Sequence, residues 1–174
     1  MRFVIALTAA ALAACASQPV NRAPEPPLKT VAAVDLERYL GTWYEIARYP
    51  NSFQKACEAV TATYTMRTDG LIGVRNECGA IDGARARIAE GRARVADAAT
   101  NAKLKVSFFG PFWGDYWIVD LDEDYSRAIV GEPSGRYLWV LAREPDADAA
   151  ERADIAATLE SLGYATAPLH WTRH

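Results

Sequence analysis

Apolar side chains recur at every second position in short runs along most of this chain, and turn-forming residues separate the runs. The runs follow one another at residues 42–49, 57–68, 71–79, 87–98, 103–109, 115–122, 126–132 and 136–143. Such alternation is typical of β-strands that bury one face. Strand after strand with short turns predicts an all-β fold, an eight-stranded antiparallel up-and-down barrel. Closure would remove the exposed edges of an open sheet.

The alternation also predicts which side chains point into the barrel. In the fifth run Leu104, Val106 and Phe108 share one face, and we expect Lys103, Lys105 and Ser107 on the other face to meet water. The same alternation places further side chains inside: Val60, Ala62, Tyr64, Met66, Gly91, Ala93 and Val95. Since lining a cavity and filling a core use the same residue types, the pattern fits either a ligand cavity or a packed interior.

The last two strands are apolar on both faces, so another element must cover their outer side. Residues 146–162 supply one, because their apolar residues recur at helical spacing between the capping candidates Asp146 or Asp148 and Gly163. We therefore predict one C-terminal α-helix packed outside the barrel. A final extended piece, 164–171, can pair back onto it.

The N-terminus follows a different pattern. Arg2 precedes an apolar run at 3–12, and small residues lead to Cys15. This is typical of a signal peptide, 1–14, whose apolar core is too short to span a bilayer as a helix. The segment LAAC at 12–15 resembles the lipobox of bacterial lipoproteins, in which the cysteine is acylated and becomes the first mature residue. The alternative is an ordinary signal peptide with a chance cysteine.

Residues 15–34 are rich in proline and lack apolar periodicity, so we interpret them as a lipidated N-terminus and tether, followed by a folded domain at 35–174. Ala16, not an aspartate, follows Cys15. The lipoprotein resemblance therefore implies the outer membrane, with the lipid anchor in the bilayer and the domain facing the periplasm.

Two further cysteines, Cys57 and Cys78, lie at nearly equal distances from the turn signal TDG at 68–70. An antiparallel hairpin would bring them together, and an oxidising compartment would favour a disulfide. Free buried thiols and a metal pair are the alternatives, although neither histidine lies nearby in the sequence.

The formal charge of −3 and the absence of a basic cluster argue against a nucleic-acid partner. The fourth strand is unusually cationic, through Arg85, Arg87, Arg92 and Arg94. A solvated outer face explains this, and contact with anionic lipid head groups is the second interpretation.

The order of these parts resembles the lipocalin family. Its first signature is Gly41 and Trp43 on the opening strand, its second lies near Asp115 and Tyr116, and its third is Arg143. More narrowly, LGTWYEIARYP, TATYTMRTDG, LKVSFFGPFWGDYW and YLWVLAR resemble the bacterial outer-membrane lipoprotein lipocalins and, more distantly, apolipoprotein D. The resemblance runs from about residue 35 to residue 171.

The resemblance implies that Arg143 stacks on Trp43 at a closed end of the barrel, so that both residues and Gly41 are structural. It places a large loop, 51–56, over the open end. It implies an apolar pocket that carries or stores a fatty acid or lysophospholipid in the cell envelope, in membrane maintenance under stress. No cofactor and no metal are expected, and a pairing of two copies into a homodimer stays open. The pocket candidates are Tyr64, Leu104, Val106, Phe108, Tyr116 and Trp139.

Three other functions compete with this one. An enzyme is disfavoured because Ser134 lacks the glycine two residues before it that a nucleophile elbow requires. A tetrapyrrole or haem carrier would need an axial ligand, for which His170 near the barrel end is a weak candidate. The third is an envelope interaction module without a ligand, which the small inward residues disfavour.

Overall fold

The computed structural model of the protein describes residues 18–79 and 85–174. Its elements in chain order are α1 Leu36–Tyr39, β1 Gly41–Arg48, β2 Glu58–Met66, β3 Ile72–Gly79, β4 Arg87–Val95, β5 Lys103–Ser107, β6 Gly114–Leu121, β7 Arg127–Gly131, β8 Leu138–Ala142, α2 Ala149–Ser161 and β9 His170–Trp171. The predicted strands are confirmed with ends shifted by a few residues. The short helix α1, capped by the Asp35 carboxylate, was not predicted.

The strands β2 to β8 each pair antiparallel with the next, and β1 closes the sheet by pairing with both β8 and β2. The result is the predicted closed eight-stranded barrel. Strand β1 pairs with β2 only from Gly41 to Tyr44, and its second half pairs with β9 through Ala47 and Arg48. The returning chain thus fills the gap where β1 and β2 diverge.

Helix α2 packs outside the barrel, as the sequence predicts. The Asp148 side chain accepts hydrogen bonds from the first turn, and Glu151 reaches back to the Asp148 backbone, which is a capping box. Ile155 and Leu159 are its buried residues, and they pack on the outward apolar side chains of β1, β7 and β8. The apolar outer faces of the last two strands are therefore covered.

The barrel has two different ends. The closed end carries α1 and the loops 67–71, 96–102, 122–126 and 143–148; the mouth carries the loops 49–57, 108–113 and 132–137 and the adjoining ends of β3 and β4. At the closed end Gly70, with φ 78°, completes the predicted TDG turn between β2 and β3. This hairpin brings Cys57 and Cys78 to a Cα–Cα distance of 5.2 Å, and they form the expected disulfide.

The segment expected as a tether lies against the barrel in its described part. The Asn21 N–H donates to the carbonyl oxygen of Gly135, and the Arg22 side chain donates to the carbonyl oxygen of Leu162. Further along, the Val34 N–H donates to the carbonyl oxygen of Thr100. Between residues 18 and 34 the chain is therefore packed on the domain, where an extension into solvent was expected. Backbone hydrogen bonds, the Arg22 side chain and the apolar contacts of Leu28 and Val31 hold it there, and none of these produces an apolar periodicity in the sequence.

The predicted signal peptide, 1–14, and Cys15 lie outside the described residues. Within the described ranges, no helix combines the length and the apolar character needed to cross a membrane.

Two exposure predictions are wrong. Ser107 lies on the outer face as predicted, opposite Arg92 on β4, but it is 5% exposed. Met66, expected inside, is 51% exposed because β2 ends there, at the rim of the closed end.

Candidate ligand-binding site

The closed end is sealed by Arg143 and Trp43. The guanidinium carbon of Arg143 lies 3.7 Å from the centroid of the Trp43 ring, which is cation–π geometry. The guanidinium group also donates to backbone carbonyl oxygens at 2.8 Å (Thr42), 2.9 Å (Arg38) and 3.0 Å (Leu40). The Trp43 indole is fully buried and donates to the Tyr39 carbonyl oxygen. One side chain thus joins the end of β8 to α1 and to the start of β1.

Gly41 is required by this arrangement. Its φ of 94° is a conformation that residues with a side chain rarely adopt. A Cβ atom there would also lie 3.4 Å from Nη1 of Arg143. The glycine therefore lets β1 start directly beneath the guanidinium group.

Three tyrosine hydroxyl groups form the floor of the interior above this seal. The Tyr116 hydroxyl lies 2.8 Å from the hydroxyl of Tyr39 and 2.8 Å from that of Tyr64. Burial raises the pKa of Tyr64 to about 12 and raises the pKa values of Tyr39 and Tyr116 as well. All three groups therefore stay protonated and neutral, and two hydrogen bonds link them inside an apolar surrounding.

The walls above the floor are apolar and closely packed. Four predicted pocket residues, Tyr64, Leu104, Val106 and Tyr116, line one cavity together with residues of α1, β3 and β4. The volume of this cavity is about 20 Å³. That is room for about one water molecule, so an acyl chain must displace side chains to enter.

The two remaining pocket candidates lie nearer the mouth. Phe108 packs against the interior cluster over Gly91, where a Cβ atom would come within 2.8 Å of the phenyl ring. Phe108 also lines a groove of about 560 Å³ with outward-facing residues such as Thr65 and Arg92. Trp139 stacks on Tyr137, with ring centroids 6.0 Å apart, and Phe53 lies against both rings. The six candidates thus extend from the floor to the mouth, and the 20 Å³ cavity joins four of them.

A loop at 51–57, here called the lid, crosses the mouth and is fastened by Gln54. The side-chain amide of Gln54 donates to Glu45 at 2.7 Å and accepts from the Trp139 indole at 2.8 Å. Its backbone carbonyl oxygen accepts from Arg48 at 3.2 Å. The sequence predicts the loop, but nothing in it singles out Gln54 as the residue that holds the loop.

Beneath the lid lies an ion pair that sequence reasoning missed. Glu45 and Arg48 are almost fully buried, and Nη1 of Arg48 lies 2.6 Å from the Glu45 carboxylate. Both face inward because β1 is irregular between Glu45 and Ala47, so Glu45 pairs with Leu141 and Arg48 with Trp139. The Thr172 hydroxyl donates to Glu45. Polar groups therefore fill the upper part of the barrel, beneath the mouth.

The residues considered for other functions have structural partners. The Ser134 hydroxyl donates to Glu132 within its own turn. His170 lies on β9, with Nε2 at 3.1 Å from the Glu58 carboxylate.

Comparison with known proteins agrees with this architecture. The sequence model of the lipocalin-like domain matches residues 34–174. The outer membrane lipoprotein Blc of Escherichia coli K12 is 39% identical over 170 residues, which cover 98% of this chain and 94% of that protein. The chain belongs to the lipocalin family.

Two more distant relatives and one solved structure support the assignment. Temperature-induced lipocalin-1 of Arabidopsis thaliana is 39% identical over 154 residues, 83% of this chain and 82% of that one. Apolipoprotein D of Rattus norvegicus is 33% identical over 134 residues, 72% and 68% of the two chains. Insecticyanin of the tobacco hornworm Manduca sexta superposes with a TM-score of 0.68 at 19% identity, covering 86% of this lipocalin and 85% of that chain, which shows the shared fold.

We expect Trp43→Ala to lower the free energy of unfolding of this lipocalin by about 3–5 kcal/mol, because it removes a fully buried ring and leaves Arg143 without its platform. Denaturant unfolding measures the loss. Trp113→Ala, at a partly exposed ring outside the barrel, is the control with a small effect. An equal loss in both variants would contradict the sealing role of Trp43.

We expect Gln54→Ala to loosen the lid, because the variant loses the side-chain contacts with Glu45 and Trp139. Each such hydrogen bond contributes about 1 kcal/mol, so the association of an apolar probe should accelerate several-fold. Stopped-flow fluorescence with a fatty acid checks this, and Ser52→Ala at an exposed lid position is the control. Unchanged kinetics for Gln54→Ala would mean that the lid does not limit entry.

Proposed function

We propose that this lipocalin is an outer-membrane lipoprotein that binds fatty acids or lysophospholipids inside its barrel and carries or stores them in the cell envelope, for membrane maintenance under stress. The observation that supports this best is the interior itself. Its lower walls are apolar above a sealed floor, and its upper part holds the polar groups beneath the lid, Glu45 and Arg48 among them. Family membership supports small hydrophobic ligands as the general class.

The interior suits an acyl chain better than a polar molecule. Each methylene removed from water contributes about 0.8 kcal/mol, and the walls offer alkyl and aromatic carbon. The floor offers three neutral hydroxyl groups joined by two hydrogen bonds, so it holds no charge that would pair with an ionic head group. The methyl end of the chain is therefore expected at the floor.

The ligand head group is expected at the mouth. When Gln54 withdraws, the Trp139 indole N–H loses its acceptor and Arg48 loses one of its acceptors. Both are donors, and a carboxylate or phosphate is the partner that such donors prefer. A fatty acid or a lysophospholipid supplies this group at one end of a single chain.

The envelope location is supported by relatives of high coverage. The proteins of Escherichia coli K12 and Citrobacter freundii are both named outer membrane lipoprotein Blc. The lipobox-like LAAC segment ending at Cys15 agrees with that location. Acylation of Cys15 would supply the anchor, and the barrel would then face the periplasm.

Val106→Trp tests the position of the site. The interior has about 20 Å³ of free space beside Val106, so the indole takes the volume that an acyl chain would use. We expect palmitate affinity to fall at least tenfold, and overpacking to cost about 1–3 kcal/mol of stability. Titration followed by tryptophan fluorescence measures the affinity.

Lys105→Trp is the matched control, because it adds the same ring one residue away on the outer face. It loses only the partly exposed ion pair with Asp115, worth at most about 1 kcal/mol, and should bind palmitate like the parent. If Val106→Trp does not fold, Val106→Ala replaces it, and the smaller side chain should not weaken binding. Parental affinity in both tryptophan variants would place the ligand elsewhere.

Cys15→Ser tests the anchor. Without an acylated cysteine, the protein should leave the outer-membrane fraction and appear uncleaved or soluble, while Cys57→Ser/Cys78→Ser stays with the membrane. Fractionation followed by immunoblotting checks this. Equal outer-membrane association of Cys15→Ser and the parent would overturn the lipoprotein assignment.

A further inference from the structure

Exposed apolar side chains gather at the mouth of the barrel. The large hydrophobic residues that the described part of the chain exposes include Phe53, Ile88, Phe109 and Phe112, and all four lie in the lid, at the mouth end of β4 or in the loop 108–113. We call these four side chains the rim patch. Phe109 is 81% exposed and Phe112 76%. Exposure this high for neighbouring phenyl groups is the mark of an interaction surface.

The loop 108–113 presents its two phenyl groups in a fixed turn. The Phe112 N–H donates to the Phe109 carbonyl oxygen at 2.9 Å, which closes the turn over Gly110 and Pro111. Behind them the ring of Trp113 is held by two guanidinium groups, Arg92 at 5.5 Å and Arg94 at 4.9 Å. The phenyl groups are therefore preorganised, and docking them costs little conformational entropy.

The charges divide between the two ends. Near the rim patch the exposed cations include Lys55, Arg85 and Arg87. Acidic residues on this side contact cations or turn donors: Glu132 accepts from its own turn, and Glu58 contacts Arg173. Asp115 pairs with Lys105, and Glu77 pairs with Arg75. Glu90, in the outer groove, is the exception, and it lies opposite Arg75 on the neighbouring strand.

The closed end has the opposite character. Its loops carry more acidic residues than basic ones: Asp69, Asp97, Asp122, Glu123, Asp124, Glu144, Asp146 and Asp148 against Arg67 and Arg143. An anionic surface therefore attracts the mouth and repels the closed end.

We propose that the mouth docks on an anionic phospholipid bilayer, with Phe109 and Phe112 inserted at the level of the head groups and Lys55 and Arg85 facing lipid phosphates. Phenyl rings flanked by cations fit this interface, where the rings leave water while the charges stay among the head groups. The surface lies outside the barrel, so the proposal goes beyond ligand binding. It places the lid at the membrane, where a ligand passes between bilayer and barrel without crossing open water.

The test uses the mature chain, residues 15–174 with Cys15→Ser, so that neither an acyl anchor nor the apolar segment at 3–12 contributes to binding. Single tryptophans are added in this background as Phe109→Trp and Phe112→Trp at the mouth, with Met66→Trp at the exposed rim of the closed end as the matched control. The vesicles contain phosphatidylethanolamine and phosphatidylglycerol brominated close to the head group. We expect additional quenching at 109 and 112 and none at 66.

Two further variants distinguish the insertion of the phenyl groups from charge attraction. Vesicle sedimentation measures the membrane binding of each variant. Phe109→Ser/Phe112→Ser should weaken the partition into anionic vesicles at least tenfold, while Met66→Ser does not. Lys55→Glu/Arg85→Glu should weaken the partition into anionic vesicles about fivefold or more per residue. Lys29→Glu, at an exposed position away from the mouth, is the control and should weaken the partition less. Added salt should reduce binding of the parent to anionic vesicles.

Equal quenching at 66 and 109, or vesicle binding that the phenylalanine and charge variants leave unchanged, overturns the proposal. The docking proposal is also overturned if neither the parent nor any variant binds vesicles. The rim patch would then be a surface for a protein partner. The palmitate titration is run on the same variants. Because the rim patch lies outside the cavity, Phe109→Ser/Phe112→Ser should keep the palmitate affinity of the parent. The titration therefore distinguishes a loss of membrane docking from a loss of ligand binding.

Discussion

The contact between Arg143 and Trp43 decides which end of this barrel can open. The guanidinium group covers the indole at 3.7 Å and holds the carbonyl oxygens of α1 and β1 at the same time. The Arg143 side chain joins three segments at one point, so it cannot move away without loss of the fold. The buried ring and the guanidinium donors would both lose their partners. Any exchange of contents must therefore occur at the opposite end. The lid and the rim patch both lie there.

The mouth is closed by a different kind of interaction. The ion pair of Glu45 and Arg48 is buried, and a buried pair gains little net stability once the desolvation of both charges is counted. Its visible effect is to position Gln54, which touches both residues. Apolar packing and a cation–π contact seal the floor, whereas hydrogen bonds that water or a ligand head group can replace hold the lid. The two ends therefore differ in how readily they open.

The sequence predicts the barrel well because its evidence is local. Alternation identifies each strand, and the symmetric placement of Cys57 and Cys78 around the TDG turn favours the disulfide that the structure shows. Apart from the short helix α1, the features that the sequence does not predict depend on contacts between distant segments. In the sequence, Arg48 resembles an ordinary polar residue of a strand. In the structure, the irregularity in β1 turns it inward beside Trp139. The segment 18–34 reads as a tether because its backbone hydrogen bonds to the barrel have no signature in side-chain pattern. Likewise, alternation places Val106 inside but says nothing about the free volume beside it.

The free volume beside Val106, about 20 Å³, determines how much free energy the proposed ligand must supply in order to enter the barrel. Opening the lid breaks three hydrogen bonds between Gln54 and the barrel, to Glu45, Trp139 and Arg48. At about 1 kcal/mol each, the cost is about 3 kcal/mol, which burial of about four methylene groups offsets. Since the interior side chains must also repack, a short acyl chain gains nothing by entering, and only a longer chain has methylenes left to supply net affinity. The polar lid over a closely packed apolar lower interior thus favours long acyl chains over short ones. It also keeps that lower interior out of contact with water while no ligand is bound.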